Sequence, residues 1–245
     1  MLAQHVCRTQ ATTEVLQERF SIKTIFCIGD VHAPFQDNKA IDKLCDAIKK
    51  ESPHYIVQVG DLYDFFSFSR FPKKPGAINA VDELEQAHEV ALEFWRRIKS
   101  LAPRASLYQL LGNHCVRPLK LSVEKSPELY ALVQKSWKEL FKFKGVETLL
   151  DVRDDLVIEN IVFEHGFYSK PGQHLRENMQ STVIGHTHRP WVHYEQIRNK
   201  LLWELNCGYV ANPSHEALSY SRKRFVKWVQ GYGLINSDGP RFIAF

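Results

Sequence analysis

Lys23-Thr24-Ile25-Phe26-Cys27-Ile28-Gly29-Asp30-Val31-His32 is an apolar run that stops at Gly-Asp and then presents a histidine. The run is short enough for a buried strand, and Gly-Asp is turn chemistry. The same order returns twice. Tyr55 to Val59 leads into Gly60-Asp61-Leu62-Tyr63-Asp64, and Ala105 to Leu111 leads into Gly112-Asn113-His114. Between the first two runs, Asp37 or Asn38 can cap a helix with the apolar stripe Ile41, Leu44, Cys45 and Ile48, which Pro53 ends. Between the second and third, residues 79–100 predict a long amphipathic helix burying Val81, Leu84, Ala87, Ala91, Phe94, Trp95 and Ile98. Loops just past apolar strands are where open α/β sheets hold their ligands.

Further along, Phe65 to Gly76 reads as an irregular loop and Pro127 to Phe143 as a helix. From Val152 the pattern changes to successive strands: 156–164, 182–184, 191–196, 201–206 and 225–235. The fourth motif, Gly185-His186-Thr187-His188, follows the second of these, and His165-Gly166 follows the first. Alternation first and strands later predicts a layered α/β sandwich with two sheets. Residues 1–20 read as a polar arm or short helix, and 21–245 as a single domain.

Of the 245 residues, 44% are hydrophobic and 24% charged, an ordinary globular composition with room for a large core. The net charge of +4 permits an anionic substrate without marking a nucleic-acid binder. Five scattered cysteines, none in a Cys-x-x-Cys pair, argue against a disulfide framework and for a reducing compartment. No apolar run reaches the roughly 18 residues that span a bilayer. The expectation is a cytoplasmic protein that does not engage a membrane.

Together the motifs offer carboxylate, amide and imidazole donors with no thiolate. That mixture suits manganese, iron, zinc or nickel and disfavours copper(I) or an iron–sulfur cluster. Two such ions need a shared anionic ligand, for which Asp61 is the candidate. A pair of divalent ions can activate water while neutralising charge on a phosphate.

Asp30-Val31-His32, Gly60-Asp61-Leu62-Tyr63-Asp64, Gly112-Asn113-His114, His165-Gly166 and Gly185-His186-Thr187-His188, in this order, resemble the five motifs of the calcineurin-like metallophosphoesterase superfamily. With the strand pattern, the resemblance implies a four-layer α/β/β/α sandwich of two mixed β-sheets flanked by helices. It also implies a phosphoric ester hydrolase with two divalent metal ions, manganese foremost. Asp30, His32, Asp61 and His188 would hold one ion; Asp61, Asn113, His165 and His186 would hold the other. His114 would face the scissile phosphate as the catalytic histidine, and Asp64 would orient a ligand or a loop by hydrogen bonds. Two departures stand out. Cys115 follows Gly-Asn-His where many relatives carry an acid, so Asp64 or another group must orient His114. Phe65-Phe66 stands where the protein Ser/Thr phosphatase branch has Arg-Gly. The expected partner is an anionic phosphate ester, with the balance towards a phosphodiester, nucleotide or nucleic acid. A phosphomonoester, a phosphoprotein and a non-catalytic metal-binding scaffold are the alternatives.

Other residues carry competing readings. Glu164 could compete with its neighbour His165, and His174, in a polar stretch, reads as an exposed rival. Tyr63, Phe65, Phe66, Phe68 and Phe71 read as cover for the long helix before they read as a base-stacking platform. Arg222-Lys223-Arg224 reads as a solvated turn, and Cys27 and Cys115 as packing residues. In relatives a segment comparable to Asn206-Cys207-Gly208 lies near the metal pocket.

Overall fold

The computed structural model describes residues 23–215, 217–218 and 227–245. The expected arm at 1–20 and the basic run at 222–224 lie outside the described residues. The first sheet contains β1 (Ile25–Ile28), β2 (Tyr55–Gln58), β3 (Ser106–Gln109), β4 (Glu147–Thr148), β10 (Gly231–Asn236) and β11 (Gly239–Ala244), in the order β11-β10-β1-β2-β3-β4. β1 to β4 are parallel, and the β10–β11 hairpin adds antiparallel beside β1. The second sheet has the order β5-β6-β7-β9-β8, from β5 (Leu156–Ile158), β6 (Ile161–Phe163), β7 (Thr182–Ile184), β8 (Trp191–Ile197) and β9 (Lys200–Asn206). β6, β7 and β9 are parallel, with β5 and β8 antiparallel at the edges. Both sheets are mixed, as expected.

Alternation along each strand builds two cores. Phe26, Ile28, Ile56 and Leu107 face the helices α1 (Asn38–Glu51) and α2 (Ala80–Leu101). Ile25, Cys27, Val57 and Val59 face the second sheet, where they meet Phe163, Val183 and Leu205. A short helix, α5 (Gln173–Asn178), covers the outer face of the second sheet at Leu175. The four expected layers are present, the fourth being thin.

Asp37 caps α1 and Asn79 caps α2, each side chain accepting from two backbone amides of the first turn. Val81, expected inside, is 63% exposed, and Glu83 is buried instead. Its carboxylate accepts from Phe66 N and Ser67 N and so pins the loop after β2 to α2. The expected helix at 127–143 is shorter: α4 covers Tyr130–Glu139, preceded by a 3₁₀ turn and by α3 (Arg117–Lys125). Pro118 in the first turn of α3 is a helix-start signal, since its missing N–H would have no helical partner there. The strand expected over 156–164 is a hairpin. Glu159 and Asn160 both take positive φ, 51° and 60°, the backbone of a tight two-residue turn. Of the strand expected over 225–235, residues 225–226 lie outside the described residues and β10 covers Gly231–Asn236, while β11 is a further strand.

The parallel strands of both sheets end on one edge of the sandwich. Gln58 and Gln109, both fully buried, lock that edge. Gln58 Nε2 donates to Gly29 O at 3.2 Å and to Gly60 O, while its Oε1 accepts from Gly60 N at 3.0 Å and from Gln109 Nε2. The ends of β1, β2 and β3 are thereby tied together directly beneath their Gly-Asp and Gly-Asn loops.

Candidate metal centre

Asp30 follows β1, Asp61 follows β2, Asn113 and His114 follow β3, His165 follows β6, and His186 and His188 follow β7. The nine residues singled out from the sequence form one continuous network. Asp30, His32, Asp61, Asp64, His114, His165 and His188 are buried, while Asn113 and His186 are half-buried at its mouth.

The loops are held in conformations that side chains disfavour. His32, Asp61, His186 and His188 have φ of 53°, 49°, 65° and 57°, in the left-handed region that few non-glycine residues occupy. Val31 N and His32 N both donate to Asp61 O, at 3.1 and 2.9 Å, which welds the first two loops together. Two glycines make room for ligand-type side chains. A Cβ at Gly112 would overlap the Asp61 carboxylate, and one at Gly60 would stand 2.5 Å from the His165 ring.

Two donor groups result. In the first, His188 Nε2 lies 2.9 Å from Asp30 Oδ2 and 3.1 Å from His32 Nε2. Donor atoms of Asp30, His32 and His188 all fall within 4.8 Å of one another. In the second, Asn113 Oδ1 is 3.0 Å from His165 Nε2 and 2.9 Å from His186 Nδ1, and His165 Nε2 is 3.1 Å from Asp61 Oδ2. The other Asp61 oxygen accepts from His114 N at 2.8 Å, and Asp30 Oδ1 accepts from His186 N at 3.2 Å.

Asp30 Oδ2 and Asp61 Oδ2 are the informative atoms. Both are buried and neither accepts an aligned hydrogen bond, although imidazole nitrogens stand 2.9 and 3.1 Å away. A buried carboxylate oxygen without a donor carries a desolvation cost of at least about 1–3 kcal/mol. Carboxylate oxygens and imidazole nitrogens that converge without hydrogen-bond alignment are what divalent-cation ligands look like. The donor set fits divalent cations.

Electrostatics couples these acids to the histidines beside them. Burial would raise the Asp61 carboxyl, but His165 and His114 beside it hold it well below the usual carboxylate range. Burial opposes the His165 cation, yet Asp61 outweighs it and pushes His165 up to about 9, so this ring gives up a proton when it acts as a ligand. Burial, with His165 nearby, brings His186 down to about 4, so its ring is neutral and has a free lone pair at pH 7.

Asp64 supplies the orientation that the missing acid after Gly-Asn-His left open. Its Oδ2 lies 2.8 Å from His32 Nδ1 and 3.4 Å from His114 Nδ1. Burial would raise its carboxyl, but His114 and His32 keep it below the ordinary range. The ionised carboxylate therefore takes the His32 Nδ1 proton as a hydrogen bond and leaves Nε2 free to face His188. Arg117, not singled out from the sequence, completes the arrangement. Its Nη1 donates to Asp64 Oδ1 at 2.7 Å, and its Nη2 lies 3.1 Å from His114 Nε2. Cys115 is buried with its thiol raised to about 12, which suits packing and not nucleophilic chemistry.

Three other assignments are settled by geometry. Glu164 turns away from the donor groups and accepts from Asn178 Nδ2 at 3.0 Å. His174, expected to be exposed, is fully buried: Phe167 N and Tyr168 N donate to its Nε2 at 2.9 and 3.1 Å. The surrounding sequence is polar because α5 is short and its other side is wet. Tyr63 and Phe65 are buried in the helix-side core.

Asn206 pins the His-Thr-His loop by donating from Nδ2 to Gly185 O at 2.6 Å and to Thr187 Oγ1 at 3.1 Å. Tyr209 stacks on the His188 ring, centroids 4.8 Å apart and planes 14° from parallel. Gln58, Gln109, Tyr209 and Arg117 escaped sequence reading. Of these, Arg117 alone had a local signal, being three residues past His114, one helical turn.

Residues 23–235 match the family model for calcineurin-like phosphoesterases, so the chain belongs to that family. It is similar to the gene 54 protein of Mycobacterium phage D29, 26% identical over 237 residues, covering 89% of this chain and 90% of that one. The gene 54 protein of Mycobacterium phage L5 is 25% identical over 241 residues with the same coverage. Among solved structures, it is similar to the phosphoesterase YfcE from E. coli, with 14% identity, a TM-score of 0.46, and 90% and 92% of the two chains covered. Vps29 of Chaetomium thermophilum gives 11% identity, a TM-score of 0.41, and 88% and 80% coverage.

Proposed function

We propose that this member of the calcineurin-like phosphoesterase family is a dinuclear-metal hydrolase of phosphodiesters, nucleotides or nucleic acids among them. The supporting observation is the pair of buried oxygens without an aligned hydrogen bond, Asp30 Oδ2 and Asp61 Oδ2, facing imidazoles from two other loops. Asp30, His32, Asp61 and His188 would hold one cation, and Asp61, Asn113, His165 and His186 the other. Divalent ions bound there would activate water and neutralise phosphate charge, with manganese the first to try.

The chain's own residues do the rest. Asp64 keeps the His32 ring turned to present Nε2. His114 stands beside both donor groups, its ring centroid 4.5 Å from that of His32, positioned to stabilise the scissile phosphate and protonate the leaving oxygen. Arg117, on Nε2 of that ring, is an anion partner at the same point. Phe65-Phe66 in place of Arg-Gly weighs against a phosphoprotein substrate. Among the described residues, no helix is long and apolar enough to cross a membrane.

The test is manganese-dependent hydrolysis of bis-p-nitrophenyl phosphate beside p-nitrophenyl phosphate. Diester turnover above monoester turnover, abolished in His114→Ala, is the expected result. No turnover of either ester, in protein shown to carry two metal ions, would overturn the reading and leave a binding scaffold.

A further inference from the structure

A cleft of about 690 Å3 opens beside the metal centre, beginning at Asn113 and Arg117. One wall is the loop Ser67 to Phe71. The other is α3, which contributes Arg117, Lys120, Leu121, Glu124 and Lys125, a single stripe at helical spacing. Four cations line it (Arg70, Arg117, Lys120 and Lys125), against the one carboxylate of Glu124. The loop wall is fixed where the buried Glu83 takes the amides of Phe66 and Ser67, and Phe68 packs edge-on against Phe65.

We propose that this cleft holds the phosphate backbone of a nucleic-acid strand next to the scissile phosphate. The inference rests on the phosphoesterase reading and names its substrate. From Arg117 to Lys125 the helix advances about 12 Å, at about 1.5 Å per residue, so the cations lead outward from His114 along a line. A small ester or a single phosphate would be satisfied at Asn113 and Arg117 and would never reach Lys120 or Lys125. A run of cations with hydrophobic side chains between them, here Phe68, Phe71 and Leu121, is the lining that tracks a strand without reading its sequence.

The experiment is fluorescence anisotropy of a labelled dT12 strand with the full chain in EDTA, so that the strand is not consumed, across a series of salt concentrations. Lys120→Glu/Lys125→Glu is compared with Lys49→Glu/Lys50→Glu, which makes the same charge change on exposed residues at the far end of α1. The cleft variant should bind about tenfold more weakly at low salt, with a salt slope shallower by about 1.4 for two lost contacts to a single strand. The α1 variant should bind within about twofold of the parent protein. Equal losses in the two variants would assign the effect to net charge and overturn the proposal, as would unchanged binding in the cleft variant. Hydrolysis of bis-p-nitrophenyl phosphate, read separately, reports on the phosphoesterase reading, so either can fail without the other.

Discussion

Two buried acid–imidazole pairs, one within the second sheet and its helix and one joining the two sheets, differ in how completely the acid's oxygens are used. His174 Nε2 accepts from two backbone amides, and Glu204 beside it accepts from Gly172 N and Trp191 Nε1 at 2.9 Å and from Leu175 N at 3.1 Å. Both Glu204 oxygens are occupied by donors that the fold itself provides. His165 and Asp61 are as deeply buried, yet Asp61 Oδ2 accepts no aligned hydrogen bond. Burial and a neighbouring charge are common to the pairs. The difference lies in the acid: a buried carboxylate with donors on both oxygens is architecture, and one with an oxygen kept short of them is prepared for something the chain does not contain.

The hardest test of that contrast is Asp61→Asn. The amide cannot serve as an anionic ligand for cations, so metal content measured by elemental analysis and diester hydrolysis should both fall to background. Retained metal with full activity would dissolve the distinction. Next is His114→Ala, which should keep its metal and lose about 10²–10⁴-fold in kcat, the usual worth of a general acid. Asp64→Asn should cost about 10–100-fold in metal affinity or rate, since it removes the carboxylate that orients His32 and Arg117.

Smallest in catalysis, but largest in stability, is Glu204→Gln. Burial would raise the Glu204 carboxyl, but His174 and the amides of Gly172 and Leu175 bring it down from 4.5 to about 2. A group whose folded pKa is depressed stabilises fully above its unfolded value and loses that contribution as pH falls through the folded one. The wild type should therefore exceed the variant by about 2–3 kcal/mol at pH 7 in urea melts. The gap should close between pH 4.5 and about 2, while the folded variant's activity stays within about twofold of wild type. A gap that persisted below pH 2 would mean that the carboxylate charge is not what holds α5 to the sheet.

The donor residues were legible because each sits within four positions of the end of an apolar run, where strand periodicity and turn chemistry work over a few residues. His174 was misread for the complementary reason. Its polar neighbours describe one side of a six-residue helix, and its burial depends on Glu204 thirty positions away. Gln58 looked like an ordinary strand residue; that its amide ties three strand ends together depends on Gly29 and Gln109, which only the fold brings near. The hairpin at 156–164 was lost to an apolar run that hid Glu159-Asn160, although Asn is among the residues that turn most easily. Arg117 carries no motif signal because Gly-Asn-His stops at His114, whereas the helix that brings it to the site begins only at Arg117 itself.

The left-handed backbone of His32, Asp61, His186 and His188 bears on how the site would be filled. Each such residue is held against a preference of about 1–3 kcal/mol, and welded loops, buried glutamines and Asn206 do the holding. That cost is met when the chain folds, not when a cation arrives. Loading should then be a matter of capture: little ordering entropy, no large heat-capacity change, and an affinity set by desolvation of ion and ligands instead of by rearrangement of the protein.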